Sequence, residues 1–421
     1  MQHGHPRPGQ EGPDHPGIHI GPVPRIAIQA FCETPDVSQI IEASAADRRM
    51  DKAHLKVQMG GASAAVEVYR TAPTPNLIVL EFAAGHGAQL LASLDQLAES
   101  CDAGTKVIVI GHVNDVMLYR DLMRRGVSEY LIAPIDTLAF IRAVSELYHA
   151  PGAEPVGRTI AVVGSKGGVG SSTVSHNLAW AISRGLSTAT VIADLDLGFG
   201  TAGLNFNQDP PQGIAEAVFA PDRLDANFLD RLLSKCAETL SLLAAPATLD
   251  RLYDFPETSF DAVIDILRAS TPCIVLDVPH VWTGWSRRVL IGADEILIVA
   301  SPDLANLRNA KVMMDLLRQA RPNDRRPKLL LNMMGMPKRP EIAPAEFAKA
   351  LECEPSAIIP FDPQLFGTAA NNGQMIAEIQ GNGKIAESFL DLARQLIGKS
   401  ESKKQSRSFL APLLGRLAKR A

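Results

Sequence analysis

Short apolar segments alternate with amphipathic segments along most of this chain, and this alternation limits the fold more than any other feature. NLIVLEF (76–82) and CIVLDV (273–278) are largely apolar and have the length of buried strands. AQLLASLDQLAES (88–100) instead carries apolar residues at helical spacing. Strands that are apolar on both faces and separated by helices form parallel sheets with helices on each side. The pattern therefore predicts an α/β fold with doubly wound parallel sheets.

Two such sheets are predicted, because a Pro- and Gly-rich linker, PGAEPVGR (151–158), interrupts the pattern. The first unit spans 25–150 and contains five strand–helix repeats, and the second spans 159–398. The predicted strands are 26–32, 55–60, 76–82, 106–111 and 128–135 in the first unit, and 159–164, 189–195, 273–278, 295–301 and 328–334 in the second.

The two ends of the chain differ in composition from these units. Residues 1–24 are rich in Pro, Gly and His, which predicts a disordered leader, with metal binding by its histidines as an alternative. Residues 399–421 contain seven Lys and Arg against one Glu, with five large apolar side chains on one side of a short predicted helix. This tail allows two interpretations, weak contact with a membrane surface or a disordered basic segment.

Composition excludes several classes of protein. Lys and Arg number 41 against 46 Asp and Glu, a formal net charge of −5, so only a local basic patch could hold nucleic acid. The five cysteines are scattered and form no CxxC motif, which argues against a zinc knuckle or a thioredoxin-type site. No apolar run is long enough to span a bilayer, and the N-terminus has no signal-peptide core. We therefore expect a cytoplasmic protein.

A glycine-rich loop, GSKGGVGSST (164–173), follows a predicted strand and precedes a helical segment. Its glycines allow successive backbone N–H groups to point into one concavity, and the following helix adds its positive end. This composition predicts a phosphate-binding loop, with a ligand-free glycine-rich turn as the alternative. The ordinary pattern places Lys directly after the last loop glycine, where this chain has Ser171, and the lysine of this loop lies earlier, at Lys166.

This loop resembles the deviant Walker A loop of the MinD/ParA ATPases, KGGxGK[ST]T. The resemblance implies that Lys166 crosses a dimer interface to the phosphates of the other subunit's nucleotide, and that the Ser172 hydroxyl binds Mg²⁺. In one respect this chain departs from the family: Ser171 replaces the ordinary Walker Lys and removes one cation from the phosphates, which argues against rapid hydrolysis of ATP. The loop residues expected to bind ATP are Ser165, Lys166, Gly167, Gly168, Val169, Gly170, Ser171, Ser172 and Thr173.

Three aspartates lie at the ends of predicted strands: Asp194 and Asp196 in VIADLDLGFGTAG, and Asp277 in CIVLDVPH. Capping of a strand end is one role for such residues, but the carboxyl ends of parallel strands are also where α/β sheets bind ligands. By the same resemblance, Asp194 and Asp277 lie near Mg²⁺, partly through water, and Asp196 orients the attacking water. Lys166 and Asp196 are thus the expected catalytic residues.

Two further residues are assigned by resemblance alone. Asn332, which ends LLLN, matches an Asn close to the nucleotide base in the family. Pro360 lies in IIPFDPQLFGTAANNG (358–373), which resembles the family's loop beside the adenine. A purely structural role is the alternative for each.

The five strand–helix repeats of the first unit resemble a response-regulator receiver. Glu81 stands where a receiver carries its phosphorylated Asp, Ala133 stands where it carries Lys, and no acidic pair follows the first strand. Gly111 and His112 stand near the receiver's Ser/Thr switch position. Phosphotransfer needs the acidic residues and the Lys, so this unit is not expected to accept phosphate. Glu81 is either a mimic of a charged acceptor or an inherited, solvent-facing carboxylate.

A degenerate receiver followed by a MinD/ParA-like ATPase resembles the CpaE/TadZ proteins of tight-adherence (Flp, type IVb/c) pilus assembly. KGGVGSST, DLDLGFGTAG, LDVPH and PFD…ANNGQ are typical of that branch. The resemblance implies a protein recruited to a cell pole or to the inner-membrane face. It also implies partners in the pilus secretion machinery, including its traffic ATPase.

Three functions follow from these features. In the first, Mg-ATP binds at 164–173 and two subunits pair through the nucleotide face, with slow hydrolysis as the reset. In the second, the replacement at Ser171 leaves a nucleotide-bound scaffold that does not hydrolyse ATP. In the third, a ParA-like DNA partition ATPase uses the basic segment RQARPNDRRPK (318–328), although the degenerate receiver and Ser171 argue against it.

Overall fold

Two sheets, one in each half of the chain, organise the computed structural model, which describes residues 20–82, 87–102, 104–148, 156–249 and 251–398. The predicted α/β class with two doubly wound sheets is confirmed, and every strand predicted above is present. Among the described residues, no helix is both long enough and apolar enough to cross a bilayer.

The first unit is a five-stranded parallel sheet with strand order β2-β1-β3-β4-β5. This is the order of flavodoxin-like folds, in which ligands bind at the carboxyl ends of the strands. Its elements are β1 Ala27–Cys32, α1 Pro35–Ser44, a 3₁₀ turn Arg48–Met50, β2 His54–Met59, α2 Gly61–Tyr69, β3 Leu77–Phe82, α3 Gly87–Ser100, β4 Lys106–Gly111, α4 Val116–Arg124, β5 Glu129–Ile132 and α5 Thr137–Tyr148.

The second unit is an eight-stranded sheet with strand order β13-β12-β11-β6-β10-β7-β9-β8. All neighbouring strands are parallel except β8 and β9, which pair antiparallel at one edge. The strands are β6 Arg158–Gly164, β7 Thr190–Asp194, β8 Ser234–Ala237, β9 Leu240–Leu243, β10 Cys273–Val278, β11 Glu295–Ala300, β12 Lys328–Met334 and β13 Pro355–Pro360. The helices are α6 Ser171–Trp180, continued by a π turn Ala181–Gly185, then α7 Ala202–Asn205, α8 Ile214–Phe219, a 3₁₀ turn Pro221–Arg223, α9 Ala226–Leu232, α10 Asp261–Ser270, α11 Gly284–Gly292, α12 Leu304–Ala320, α13 Pro344–Leu351, α14 Pro363–Asn372, α15 Ile376–Ile379 and α16 Lys384–Ile397.

Helices on both faces of the second sheet explain why its central strands are apolar along their whole length. Along β6, Ile160 and Val162 pack into one core, whereas Ala161 and Val163 pack into the other. Successive side chains of a strand point to opposite faces, so burial of both faces requires a continuous apolar sequence. Each fully buried large aliphatic side chain contributes about 1.5–3 kcal/mol.

The leader predicted for residues 1–24 extends too far, because its last residues belong to the first unit. Ile20 and Val23 are buried in the core of the first unit, and the Val23 amide donates a 2.8 Å hydrogen bond to the Arg49 carbonyl. The apolar residues that follow the His-rich stretch have a sheet to pack on, so the first unit begins earlier than residue 25. Residues 1–19, the linker residues 151–155 and the tail 399–421 lie outside the described residues.

The edge hairpin β8–β9 was not among the predicted strands. Each of its strands has four residues, and SKCA in β8 has no run of large apolar side chains. Short strands near a sheet edge carry little sequence signal. The pairing of β9 with β7 and of β8 with β9, rather than their own composition, fixes them.

The two units contact each other through a buried network of ion pairs. The Arg48 guanidinium lies 2.8 Å from an Asp324 carboxylate oxygen and 3.2 Å from one of Asp294. Arg49 also pairs with Asp324, and the Asn323 amide donates to Asp47 at 3.0 Å. Asp294 and Asp324 precede β11 and β12, so the first unit docks at the amino edge of the second sheet, opposite the glycine-rich loop.

The basic segment 318–328 is largely engaged within the protein. Arg321 is buried and lies 3.1 Å from Asp324, and Arg318 donates to the Leu351 carbonyl at 2.8 Å. Arg325 lies 3.8 Å from Glu295. These contacts place much of the segment's charge at the inter-unit network and against neighbouring elements.

Candidate nucleotide site

The predicted site residues of the second unit converge on one edge of its sheet. β6 ends at Gly164 and β7 ends at Asp194, while Asp277 is the last but one residue of β10. β10 lies between β6 and β7, and all three strands run in the same direction. The sequence separation between the loop and Asp277 therefore becomes spatial proximity at the carboxyl ends of the strands.

The glycine-rich loop has an open concave face. Gly168 and Gly170 adopt left-handed backbone with φ of +81° and +80°. A Cβ built on Gly167 or Gly168 would meet no heavy atom within 4 Å, so the space in front of both residues is free. α6 begins directly after Gly170, which offers no side-chain cap, and the N–H groups of its first turn are therefore available to a ligand. The geometry fits the phosphate cradle expected from the sequence.

Several side chains hold this loop in place, and two of them were predicted to bind the cofactor. The Ser165 side chain is buried and donates to the Asn306 side-chain oxygen at 2.6 Å. The Asn332 amide donates to the Val169 carbonyl at 2.8 Å. In this structure the Ser165 and Asn332 side chains thus support the loop, and a contact of Asn332 with the base stays a prediction.

Sequence reasoning missed two supports of the same loop. The Asn309 amide donates to the Ser165 carbonyl at 2.9 Å, and His280 Nδ1 lies 2.8 Å from the Gly164 carbonyl. Asn309 lies in α12, far from the loop in sequence, so only the fold brings it there. His280 follows Asp277 in LDVPH and could have been singled out from that position.

The cationic and hydroxyl groups of the loop are accessible. Lys166 is exposed, and Ser171, Ser172 and Thr173 are half-buried at the start of α6. Pro360 is exposed at the end of β13, the edge strand beside β12. These positions agree with the predicted roles, which stay predictions.

Asp194 and Asp277 form a buried pair of carboxylates beneath the loop. They are paired residues of adjacent strands, and both are buried. Asp194 accepts backbone N–H groups from Asp196 and Ala202, each at 3.1 Å. Burial and then the negative charge of Asp277 raise the pKa of Asp194 to about 7, although His176 acts in the opposite direction. Two carboxylates in a low-dielectric site favour a bound cation.

Asp196 shapes the loop that follows β7. Its side chain accepts the Phe199 amide at 3.0 Å, and its own amide donates to Asp194. Asp196 is half-buried and Phe199 is exposed. Asp196 therefore caps a turn, which was the alternative role for a strand-end aspartate, and a role in orienting water stays a prediction.

The residues present fit a magnesium ion bound together with phosphates. Mg²⁺ is bound in proteins by one or two carboxylates, with substrate phosphates and water completing the shell. Asp194, Asp277 and the Ser172 hydroxyl supply that kind of oxygen donor at one edge of the sheet. Within the described ranges, no group of three or more His, Cys, Asp and Glu side chains is arranged to hold a metal by itself.

His176 is a further polar residue that sequence reasoning missed. It follows Ser172 by one helical turn on α6, is buried, and lies 3.3 Å from Asp277 through Nε2. A polar residue four positions after Ser172 shares its face of the helix, which is the signal that could have identified it.

The corresponding edge of the first unit is closed. Glu81 is fully buried, so the interpretation as a solvent-facing carboxylate is wrong. It accepts the amides of Glu33 and Thr34 at 2.7 and 2.8 Å, the Thr34 hydroxyl at 2.6 Å, and contacts His112 Nε2 at 3.0 Å. Burial by itself would raise the pKa of Glu81, but the hydrogen bonds outweigh it, and the pKa is lowered. The ionised carboxylate is thus satisfied internally.

Known proteins resemble this chain in sequence and in structure. Septum site-determining protein MinD from Bacillus subtilis is 23% identical over 260 residues, covering 58% of this chain and 91% of MinD. A ParA family ATPase from Chlorobium tepidum is 25% identical with a TM-score of 0.52, covering 56% of this chain and 98% of that one. No protein-family model matches the chain.

Two further solved structures are similar to parts of this chain. MinD from Pyrococcus horikoshii, solved with Mg-ADP, is 22% identical with a TM-score of 0.50, covering 57% of this chain and 95% of that one. Pilus assembly protein CpaE from Caulobacter crescentus is 51% identical with a TM-score of 0.30, covering 31% of this chain and all of that one. From the glycine-rich loop, the strand order and the MinD and ParA relatives together, the second unit has the fold of the MinD/ParA-family P-loop ATPases.

Proposed function

We propose that this chain binds Mg-ATP at 164–173, pairs with a second copy through the nucleotide face, and positions pilus assembly machinery. The observation that carries the nucleotide part is the open glycine cradle at the same sheet edge as the buried Asp194–Asp277 pair. A cradle of N–H groups favours phosphate, and the two carboxylates favour the cation that accompanies it.

Each residue of the site has a distinct part in this proposal. Backbone N–H groups from Gly167 to Thr173 hold the phosphates, and the Ser172 hydroxyl with Asp277 and Asp194 holds Mg²⁺, partly through water. The exposed Lys166 reaches the phosphates of the nucleotide bound to the other copy. The nucleotide then forms part of the interface, so ATP binding and dimerisation are thermodynamically coupled.

Hydrolysis is slow in this proposal. The site lacks the cation that a Lys at the position of Ser171 would place on the β- and γ-phosphates. Asp196 orients the attacking water, and Mg²⁺ supplies charge neutralisation on the phosphates when it is bound. Hydrolysis would return the dimer to monomers.

The pilus role is the finer part of the proposal and rests on the loop sequences, which are typical of the CpaE/TadZ branch. The protein would lie in the cytoplasm at a cell pole or the inner-membrane face and recruit the secretion machinery, including its traffic ATPase. The first unit would dock partners without accepting phosphate, because Glu81 is enclosed. The basic tail would add a weak contact with the membrane surface.

A non-hydrolysing scaffold is the second candidate, and Ser171 favours it. A DNA partition ATPase has less support, because Arg318, Arg321 and Arg325 of the basic segment are engaged in internal contacts.

The experiment measures oligomeric state and phosphate release together, with and without Mg-ATP. We expect an ATP-dependent dimer with slow phosphate release in the wild type, and loss of the dimer in Lys166→Ala. Lys349→Ala, an exposed lysine on α13, is the matched control and should behave as wild type. A dimer without phosphate release would favour the scaffold. No effect of nucleotide on either readout would refute the nucleotide part of the proposal.

A further inference from the structure

His176 is an unusual residue for its position in the structure. It lies in the helix that follows the glycine-rich loop, and its side chain is 1% exposed. An imidazole in an apolar core needs partners for both ring nitrogens, because an unmade hydrogen bond in such a place costs about 1–3 kcal/mol. The contacts of the two nitrogens therefore indicate what the residue does.

One ring nitrogen has a defined partner, and this assigns the tautomer. The side-chain amide nitrogen of Asn205 lies 2.9 Å from His176 Nδ1. An amide N–H₂ group donates and does not accept, so Nδ1 is the acceptor and the ring proton resides on Nε2. Nε2–H thus requires an acceptor of its own.

The acceptor within reach is the carboxylate of Asp277. Nε2 lies 3.3 Å from Asp277 Oδ2, but the approach does not satisfy the geometry of a hydrogen bond, and Nε2 is buried without another hydrogen-bond partner in the described part of the chain. A small rotation of the Asp277 carboxylate would complete the bond. The donor without a hydrogen bond therefore lies next to a residue of the proposed Mg²⁺ site.

The other side of the ring contacts α7. The His176 ring packs on Phe206 with centroids 5.5 Å apart, and Asn205 is the last residue of α7. The Ala202 amide, at the start of α7, donates to Asp194 at 3.1 Å. Both carboxylates of the site are therefore connected to the same short helix, Asp194 through Ala202 and Asp277 through His176.

We propose that His176 is a positioning residue that orients Asp277 for Mg²⁺ and connects Mg²⁺ binding to the segment 195–206. This inference rests on the proposed Mg-nucleotide site. With the cation bound, Asp277 would accept the His176 Nε2–H, and the Asn205 contact would hold α7 and the preceding loop in one arrangement. That loop carries Asp196 and the exposed Phe199, so occupancy of the site is communicated to the surface.

The test measures Mg²⁺-dependent binding of a fluorescent ATP analogue by the full chain, and no hydrolysis is needed. His176→Phe keeps a ring against Phe206 but has no donor, and His176→Gln places an amide N–H close to the position of Nε2. Partners that orient metal ligands change metal affinity by about 10–100-fold. We expect His176→Phe to raise the Mg²⁺ concentration for half-saturation about tenfold. With His176→Gln, that concentration should return most of the way to the wild-type value. Binding in the presence of EDTA should be unchanged in both variants.

A second readout reports on segment 195–206. Mg-ATP is expected to slow amide hydrogen exchange there in the wild type and in His176→Gln, but not in His176→Phe. Asn205→Ala should raise the Mg²⁺ concentration for half-saturation by less than His176→Phe does. The double variant of Asn205→Ala and His176→Phe should require the same Mg²⁺ concentration as His176→Phe alone.

The outcomes separate this inference from the proposed function. Equal Mg²⁺ midpoints for the wild type and His176→Phe, with both binding nucleotide, would overturn the role of His176 alone. Equal loss of binding with and without Mg²⁺ would mean that the residue acts only through packing, and would overturn it as well. Absence of nucleotide binding by the wild type would instead refute the proposed function on which the inference rests.

Discussion

Glu81 in the first unit and Asp194 in the second lie at the same kind of place, yet their surroundings differ. Each carboxylate is fully buried at the carboxyl end of a strand with parallel neighbours. Four polar hydrogens surround Glu81, and its pKa is lowered. Asp194 has a second carboxylate, Asp277, as its neighbour, and its pKa is raised.

The comparison teaches that an acidic residue at a strand end does not by itself make a site. Around Glu81 the protein supplies every hydrogen bond, so the ionised carboxylate stabilises the fold and needs no ligand. Around Asp194 and Asp277 the protein supplies too little positive charge, and an open loop lies in front of them. The second arrangement is suited to binding a cation with phosphates, and the first to holding strands and loops together.

The largest expected effect comes from removing the closed carboxylate. Glu81→Ala empties a fully buried position and removes the acceptor of the Thr34 hydroxyl and of two backbone N–H groups, and we expect a loss of about 4 kcal/mol in the unfolding free energy. Chemical denaturation measures it, while nucleotide binding should be unchanged. A loss of nucleotide binding in a folded Glu81→Ala protein would break the comparison.

The same carboxylate predicts a pH dependence. The pKa of Glu81 is lowered from its ordinary value of 4.5, so its ionised form contributes stability above that value. This contribution is lost as the pH falls through the lowered pKa. The stability difference between wild type and Glu81→Ala should therefore shrink in acid, and a constant difference would show that the charge is not what stabilises the unit.

A slightly smaller effect is expected at the contact between the units. Arg48→Ala leaves Asp294 and Asp324 buried without this partner, which costs about 3 kcal/mol. Denaturation should then give two separated transitions, one for each unit. The exposed pair of Arg184 and Glu238 provides the control, and Arg184→Ala should change the unfolding free energy by less than about 1 kcal/mol. Equal effects of the two substitutions would contradict the buried network.

Removing a carboxylate from the open site should raise the unfolding free energy, whereas the substitutions of Glu81 and Arg48 lower it. Asp277→Asn removes the charge that opposes ionisation of Asp194, so the unfolding free energy without Mg²⁺ should rise by about 1 kcal/mol. Affinity for the Mg-nucleotide should fall at least about tenfold, because a proposed ligand of the cation is lost. Thermal unfolding with and without Mg²⁺ measures the first effect, and titration the second. Destabilisation in the absence of Mg²⁺ would contradict the comparison.

An effect of similar size is expected in the open loop itself. Gly168→Ala forces an L residue into left-handed backbone at φ +81°, which costs about 1–2 kcal/mol and displaces an N–H group of the cradle. Gly167→Ala is the matched control, since it has equal free space and no left-handed backbone. We expect weaker nucleotide binding by Gly168→Ala and unchanged binding by Gly167→Ala. Equal losses of affinity in both variants would mean that the added methyl group, not the left-handed backbone, is responsible.

The residues of the loop show how far the site could be predicted. The glycines, Lys166 and the three aspartates were predicted as site residues from spacing and resemblance, because cradle and strand-end positions leave a local pattern. His176 and Asn309 were missed, since their contacts join segments that are distant in sequence. Asn332 and Ser165 were identified, but their side chains hold the loop, and only the packing around them reveals this.

The sequence alone determined the two sheets and the loop, because the alternation of strands and helices and the local requirement for glycine are written in neighbouring residues. The tertiary structure alone decided which carboxylates are closed and which are open. The enclosure of Glu81 depends on Thr34 and His112, and the docking of the units depends on Arg48 with Asp294 and Asp324. Hydrogen bonds and ion pairs between distant segments leave no repeating pattern in the sequence. They form only when folding brings the two partners together.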